Sequence, residues 1–332
     1  MKATSRQWQR YLFIAVWIIA SVFLGWQLRR PPYSFDAPQG VPSLVLVFLC
    51  TIALMIWIRN PIQNEPTEQP ARKGWLLLYI WLSVGLLWAA RGFIGEPLMF
   101  GLPVIAILIL VLLKRPLEKR EVFYALALAL VAGVTGLSAG WITFIGPVTW
   151  GLLQVFLVLT GLLAGWSILR SAGLLQQGVG TSRFLSGGAG PAFKSFGTGM
   201  LIAVPWAFLI VLMGGGSRET WVKSWWQPVI ALQAGIAEEA WGRILLVPLL
   251  FLLFRRVSQP RTAFTVALFI AAFWFANLHV APADMVSTVL IGTLYALPAA
   301  YLCLYRDLET AIGWHFWVDF VKFAVAFILL PK

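Results

Sequence analysis

Long apolar runs recur along the whole chain, and short polar segments separate them. A helix needs roughly 20 apolar residues to cross the hydrocarbon core of a bilayer. The runs lack the apolar-polar alternation of a transmembrane strand. The pattern predicts an all-α, polytopic transmembrane helix bundle of about eleven spans, with a range of nine to eleven. These spans lie roughly at 11–28, 41–58, 74–90, 97–113, 122–140, 146–168, 197–214, 225–254, 263–280, 285–304 and 309–330.

The basic residues set the predicted orientation. Lys2, Arg6 and Arg10 precede the first apolar run, as in a signal peptide, but "QLRRPP" follows it where a cleavage site would have small residues. We therefore expect a retained anchor. With eleven spans and a cytoplasmic N-terminus, most lysines and arginines fall on the cytoplasmic side, as the positive-inside rule requires. The prediction is a multi-pass integral protein of a bacterial-type cell membrane.

The composition agrees with a membrane protein and excludes a nucleic-acid-binding protein. The chain is 60% hydrophobic and 11% charged, and its net charge is +12. Loop topology and contact with anionic lipid account for that charge. A nucleic-acid binder needs a basic patch on a folded soluble face, and no segment is long enough to form one. We expect the lipid bilayer as a partner and no nucleic acid; the sequence does not indicate an oligomeric state.

One segment rich in glycine and serine divides the chain. It has no helical periodicity, which predicts a flexible connection or a surface loop. The predicted regions are 1–170, with about six spans of unknown role, the connecting loop 171–196, and a C-terminal domain, 197–332. No internal repeat is evident.

The ionisable residues within spans all fall in the C-terminal domain. Each costs at least about 2.5–3.5 kcal/mol at the centre of a bilayer, so each is a candidate functional residue. The competing interpretation for any one of them is structural: an ion pair between helices, or a side chain that extends to the membrane surface. Lys322 fits that interpretation, because its long stem can carry the ammonium to the membrane surface. The set consists of Glu238, Glu239, Arg243, His279, His315, Asp319 and Lys322.

Helical spacing separates the three charges of "EEAWGR". Glu239 and Arg243 are four residues apart with the acid first, which favours an ion pair on one helix face. Glu238 points about 100° away from that face and has no partner on its own helix. Such a carboxylate is a candidate general base.

The chain has only two histidines, and each lies in a late apolar span. His279 follows Phe275 by four residues, and His315 precedes Asp319 by one helical turn on the same face. A lone histidine in a helix is more often a core residue than a catalyst. Two histidines placed beside buried acids favour a function, because imidazole transfers protons near neutral pH and binds metals.

Three motifs in order carry a family resemblance: "EEAWGR" fits EExxxR, "FANLH" fits FxxxH and "HFWVD" fits HxxxN/D. Together they resemble the CPBP family of CAAX proteases and bacteriocin-processing enzymes, over roughly residues 197–330. The resemblance implies an intramembrane endopeptidase that acts on a peptide or membrane protein. It does not imply that the substrate is prenylated.

The resemblance also implies roles for single residues. Glu238 would activate the hydrolytic water, His279 would assist it, and His315 with Asp319 would stabilise the oxyanion. Glu239 and Arg243 would shape the site. Prenyl-protein enzymes typically have asparagine where this chain has Asp319. Because an ionised aspartate cannot donate a hydrogen bond, Asp319 would have to be protonated, orient His315 or bind a metal.

Two alternatives remain open. In the first, Glu238, His279, His315 and Asp319 hold a catalytic Zn²⁺. The chain lacks the HExxH helix of common zinc proteases, so we favour a mechanism without a cofactor. In the second, the buried acids and histidines form the proton relay of an ion-coupled transporter. Transporters often place broken helices in both halves of the chain, whereas this chemistry lies in one half.

Overall fold

Helices dominate the part of the chain that the structure describes. The computed structural model describes residues 101–113, 117–138, 146–212, 216, 219–256, 258–279 and 285–329. They belong to one compact unit, 60–332, and contain no strand. The all-α class is therefore confirmed for these residues.

Eleven α-helices lie within the described ranges. They are α1 (Gly101–Leu113), α2 (Lys119–Gly136), α3 (Pro147–Ser171), α4 (Arg183–Gly187), α5 (Ala189–Leu212), α6 (Ile230–Glu239), α7 (Leu246–Phe254), α8 (Pro260–Leu278), α9 (Met285–Ile291), α10 (Leu297–Tyr305) and α11 (Leu308–Leu329). A π-helical segment, Ala240–Leu245, joins α6 to α7 without a break, and a second, Gly292–Ala296, joins α9 to α10.

Four of the described helices are long and apolar enough to cross a membrane: Pro147–Ser171, Ala189–Leu212, Thr288–Tyr305 and Leu308–Leu329. These helices support a membrane protein. The predicted total of about eleven spans is not confirmed, and the first three, 11–28, 41–58 and 74–90, lie outside the described residues. The cytoplasmic N-terminus, the bacterial-type membrane and the three-region division stay predictions.

The segment 171–196 contains more helix than its composition predicts. It includes a 3₁₀ turn, Leu175–Gln177, then α4 and the first residues of α5. Ser182 caps α4 by accepting a hydrogen bond from the backbone N–H of Leu185 at 3.3 Å. The expectation of a segment without helical structure is wrong, because contacts distant in sequence order these residues.

A buried carboxylate supplies those contacts. Glu309, near the start of α11, accepts hydrogen bonds from the Tyr124 hydroxyl at 2.9 Å and the Ser182 hydroxyl at 2.6 Å. It also accepts from the backbone N–H groups of Arg183 at 2.9 Å and Phe184 at 3.0 Å. A buried carboxylate is tolerated only with such partners. Glu309 thus fastens α4 and α2 to the beginning of α11.

Two helix contacts position the later site on α11. Gly199 of α5 and Gly313 of α11 lie so close to the opposite backbone that a Cβ on either would collide with the carbonyl of Thr310 or Phe196. Small residues permit this approach between apolar helices. On another side of α11, a Cβ on Gly235 of α6 would lie 3.1 Å from the carbonyl oxygen of Ile312. The end of α6 is therefore held against α11.

Close packing also places α3 against the first π-helical segment. A Cβ on Gly165 would collide with the carbonyl oxygen of Ile244. We expect Gly165→Ala to lower the free energy of unfolding by about 1–3 kcal/mol, the usual cost of overpacking. Unfolding by a denaturing detergent would measure it.

Gly197→Ala is the matched control, because nothing lies within 4 Å of the Cβ position at this glycine of α5. It should leave stability unchanged or raise it by about 0.5–1 kcal/mol, since alanine is the better helix former. Equal effects of the two substitutions would contradict the close contact at Gly165.

Candidate active site

The first π-helical segment begins directly after the paired glutamates. Glu238 and Glu239 are the last residues of α6, and Ala240–Leu245 follows as a π-helix. Single π turns inside α-helices occur frequently at functional sites. A Cβ on Gly242, within this segment, would meet no atom within 4 Å. The backbone therefore changes its winding where the charged residues lie, and leaves open space at Gly242.

Glu238 lies between the two histidines. Its Oε1 is 3.5 Å from Nε2 of His279, at the end of α8, and its Oε2 is 3.3 Å from Nε2 of His315, on α11. Three helices distant in sequence thus bring together the candidate base and both imidazoles. The sequence predicted these residues, and the structure places them in one cluster.

Glu239 faces the other nitrogen of His315. Its Oε1 is 2.9 Å from Nδ1 of His315, and since a carboxylate only accepts, Nδ1–H is the donor. Its Oε2 is 3.6 Å from Nε of Arg243. The predicted pair of Glu239 with Arg243 is therefore present as an ion pair, and it extends to His315.

Arg243 and the two imidazoles surround the ring of Phe275. The Arg243 guanidinium carbon lies 4.0 Å from the ring centroid, a distance typical of a cation–π contact. The rings of His279 and His315 lie 4.3 Å and 6.1 Å from it. Arg243 also donates to the backbone carbonyl of Glu238 at 3.1 Å. The phenylalanine of "FANLH" thus packs between the three polar side chains.

His279 has one nitrogen fixed by its own helix. Its Nδ1 is 2.9 Å from the carbonyl oxygen of Phe275, so Nδ1–H is the donor there as well. His279 is 40% exposed, whereas the side chain of Glu238 is 17% exposed and that of His315 is 10% exposed. The cluster is therefore most open at His279 and closes towards Glu239, which is fully buried.

Asp319 completes the predicted set. Its Oδ2 is 3.5 Å from Nε2 of His315, one turn earlier on α11. Its Oδ1 is 3.3 Å from Nζ of Lys322, and Nζ is also 3.3 Å from Oε1 of Glu219. Lys322, which the sequence analysis assigns to the structural interpretation, forms ion pairs with these two carboxylates beside the site.

Lys322 is in the set of candidate residues, but its contact with Asp319 was not predicted, and Glu219 was missed altogether. The spacing of Asp319 and Lys322, three residues apart on a helix, was a usable signal. Glu219 lies in a connection before α6, and nothing in its local sequence points to α11.

The arrangement of the histidine nitrogens and carboxylate oxygens also indicates whether the cluster could bind a metal ion. Both histidines turn Nε2 towards Glu238 while Nδ1 donates elsewhere, an arrangement that metal-bound histidines share. However, among the residues that the structure describes, no group of three or more His, Cys, Asp or Glu side chains is arranged to hold a metal ion. The zinc alternative gains no support from this geometry.

Comparison with known proteins agrees with the three motifs. Residues 220–321 match the family model described as type II CAAX prenyl endopeptidase Rce1-like. This region includes the glutamates, the arginine, both histidines and Asp319. The match confirms the predicted resemblance and is consistent with a CPBP family protease. No curated protein matches the chain, and no solved structure does.

The apolar helices support a membrane protein, and residues 220–321 are similar to a CAAX-type endopeptidase domain. Such a domain implies a protease and a peptide substrate in the membrane.

Proposed function

We propose that this chain is an intramembrane endopeptidase in which Glu238 activates the water that hydrolyses a peptide bond. The observation that carries the proposal is the position of the Glu238 carboxylate, within 3.5 Å of Nε2 of His279 and 3.3 Å of Nε2 of His315. The family match to residues 220–321 supports the same reaction class.

In the proposed reaction Glu238 acts first as a base and then as an acid. It removes a proton from water, and the water oxygen bonds to the carbonyl carbon of the substrate. The carbonyl oxygen then carries a negative charge. When this intermediate collapses, the C–N bond breaks and Glu238 returns its proton to the leaving nitrogen. The products are a carboxylic acid and an amine, and Glu238 is regenerated.

His279 orients the attacking water in this scheme. Its Nδ1–H donates to the carbonyl of Phe275, which fixes the ring and leaves Nε2 facing Oε1 of Glu238. Because His279 is the most exposed member of the cluster, water reaches Glu238 from its side. Water held between the two side chains would have an acceptor on each.

His315 supplies the donor for the oxyanion. Its Nδ1–H donates to Glu239. In the imidazolium form Nε2 carries a hydrogen as well, and this Nε2–H can donate to the charge that develops on the substrate. A donor already fixed in a buried site stabilises such a charge strongly. Of the three roles open to Asp319, the contact with Lys322 favours an ionised aspartate that orients His315.

The proposed mechanism uses no metal, and this yields a prediction. Purified protein in liposomes should cleave membrane-inserted peptides equally fast before and after treatment with EDTA and 1,10-phenanthroline. A zinc peptidase treated in parallel serves as the control. Loss of cleavage that added Zn²⁺ restores would overturn the metal-free mechanism.

The same assay addresses the substrate. Peptides presented with and without a prenyl group on a cysteine near the cleavage site would separate a prenyl-protein endopeptidase from a more general one. Failure to cleave any membrane-delivered peptide would count against the proposed function itself.

A further inference from the structure

Three charged side chains in contact, Asp319, Lys322 and Glu219, extend from the proposed site to the connection before α6. Lys322 contacts both Asp319 and Glu219 at 3.3 Å, and its side chain is 18% exposed. Both Lys322 and Glu219 lie just outside residues 220–321, the region that matches the family model. The family match therefore covers neither residue, and none of the three motifs includes them.

The two oxygens of Asp319 face different partners. Oδ1 faces the Lys322 ammonium, and Oδ2 faces Nε2 of His315. The same nitrogen of His315 lies 3.3 Å from Glu238. Two carboxylates thus face one imidazole nitrogen, and such closely placed like charges disfavour the ionised form of both. The Lys322 ammonium offsets this repulsion on the side of Asp319.

Packing around Lys322 keeps the ammonium in place. Nζ lies 4.4 Å from the centroid of the Phe323 ring. The indole N–H of Trp221 donates to Oε2 of Glu219 at 2.7 Å, and the Trp221 ring meets Phe323 edge to face at 5.2 Å. These contacts fix Glu219, and Glu219 in turn fixes Lys322. The connection before α6 is therefore part of the support for Asp319.

We propose that Lys322 is a positioning residue, which Glu219 holds in place and which keeps Asp319 ionised with Oδ2 turned towards His315. This inference rests on the proposed function, since the orientation of His315 matters only if His315 donates to the oxyanion. Lys322 itself would not touch the substrate. Its effect should appear in turnover and not in substrate binding.

Kinetic measurements on four variants test the proposal: Lys322→Met, Lys322→Arg, Asp319→Asn and the double variant Lys322→Met/Asp319→Asn. We expect Lys322→Met to lower kcat by roughly 10- to 100-fold, the order of loss caused by misplacing a catalytic group, with little change in KM. Lys322→Arg should keep most of the activity because it keeps the charge. Lys223→Met, at an exposed lysine of the same connection, is the matched control and should behave like wild type.

The double variant separates positioning from stability. If Lys322 acts through Asp319, adding Lys322→Met to Asp319→Asn should cause no further loss of kcat. A further loss would overturn the proposal, and so would a wild-type kcat in Lys322→Met. If Lys322→Met does not fold, the kcat values of Asp319→Asn and of the double variant still test the proposal. Both proteins lack the Asp319 carboxylate, so neither has an aspartate charge at this position without its cation.

Infrared spectroscopy gives a readout that needs no substrate. At neutral pH, Lys322→Met should show a new carbonyl band of a protonated carboxylic acid, and the double variant should lack it. Absence of this band in Lys322→Met would overturn the proposal even if the protein proved to have another activity. If the band is present and no peptide is cleaved, the proposed function fails while the support of Asp319 by Lys322 stands.

Discussion

Replacing Glu238 with glutamine is expected to abolish peptide cleavage while leaving the protein folded. The substitution keeps the size of the side chain but removes the base that takes the proton from water. General acid–base catalysis contributes typically about 10²–10⁴-fold to a rate, and here one carboxylate serves as base and then as acid. Because the side chain makes its polar contacts with two histidines, an amide can still occupy the space. Cleavage of a membrane-inserted peptide by purified protein measures the effect.

Glu118→Gln provides the matched control for this experiment. Glu118 precedes α2, its side chain is 65% exposed, and its ionic partner is Arg170, far from the histidines in sequence. The control should cleave at the wild-type rate, and both variants should unfold at the wild-type denaturant concentration. Cleavage by Glu238→Gln at a rate near that of wild type would remove Glu238 from the mechanism.

The second large effect concerns stability. We expect Arg243→Ala to lower the free energy of unfolding by about 3–5 kcal/mol, the range seen when one partner of a buried ion pair is removed. The guanidinium is buried, lies 3.6 Å from Glu239 and stacks on Phe275. Alanine would leave the fully buried Glu239 carboxylate with the contact to His315 as its one remaining polar side-chain contact among the residues that the structure describes. Unfolding by a denaturing detergent, followed by tryptophan fluorescence, measures the change.

Two further variants serve as comparisons: a control at another arginine, and a substitution at Arg243 that separates charge from packing. Arg256→Ala removes an exposed arginine at the end of α7 and should change stability by no more than about 0.5 kcal/mol. Arg243→Lys keeps the charge but loses the planar contact with Phe275, so its stability should fall between those of wild type and Arg243→Ala. A change in Arg243→Ala as small as that in Arg256→Ala would refute the structural importance of the pair.

Contacts within one helix were accessible from the sequence. The four-residue spacing of Glu239 with Arg243, and of His315 with Asp319, predicted pairs that the structure contains. Such pairs depend only on the helical repeat. Glu238 could also be identified from the sequence as the candidate general base, since it had no partner on its own helix.

Contacts between helices could not be derived in this way. Spacing along α6 does not reveal that Glu239 reaches Nδ1 of His315, because that contact depends on the close packing of Gly235 against α11. The same limit explains why the partners of Lys322 were not predicted. Its partner Glu219 comes from a connection whose position depends on tertiary structure.

Local composition gave a wrong expectation for residues 171–196, because a residue distant in sequence orders this segment. Glycine and serine in 171–196 predicted flexibility, yet the buried carboxylate of Glu309 binds Ser182 and the backbone of α4. The π-helical winding of Ala240–Leu245 had no signal in the apolar pattern, since that pattern differs little between an α-helix and a short π turn.

Cleavage in water labelled with ¹⁸O tests the central claim most directly. Wild-type protein and Glu238→Gln would be incubated separately with a library of membrane peptides, and mass spectrometry would identify new C-termini. The proposed mechanism predicts C-termini that arise only with wild-type protein and carry one solvent ¹⁸O atom even in a single turnover. New C-termini formed equally by both proteins, or a first turnover without solvent oxygen, would contradict water activation by Glu238.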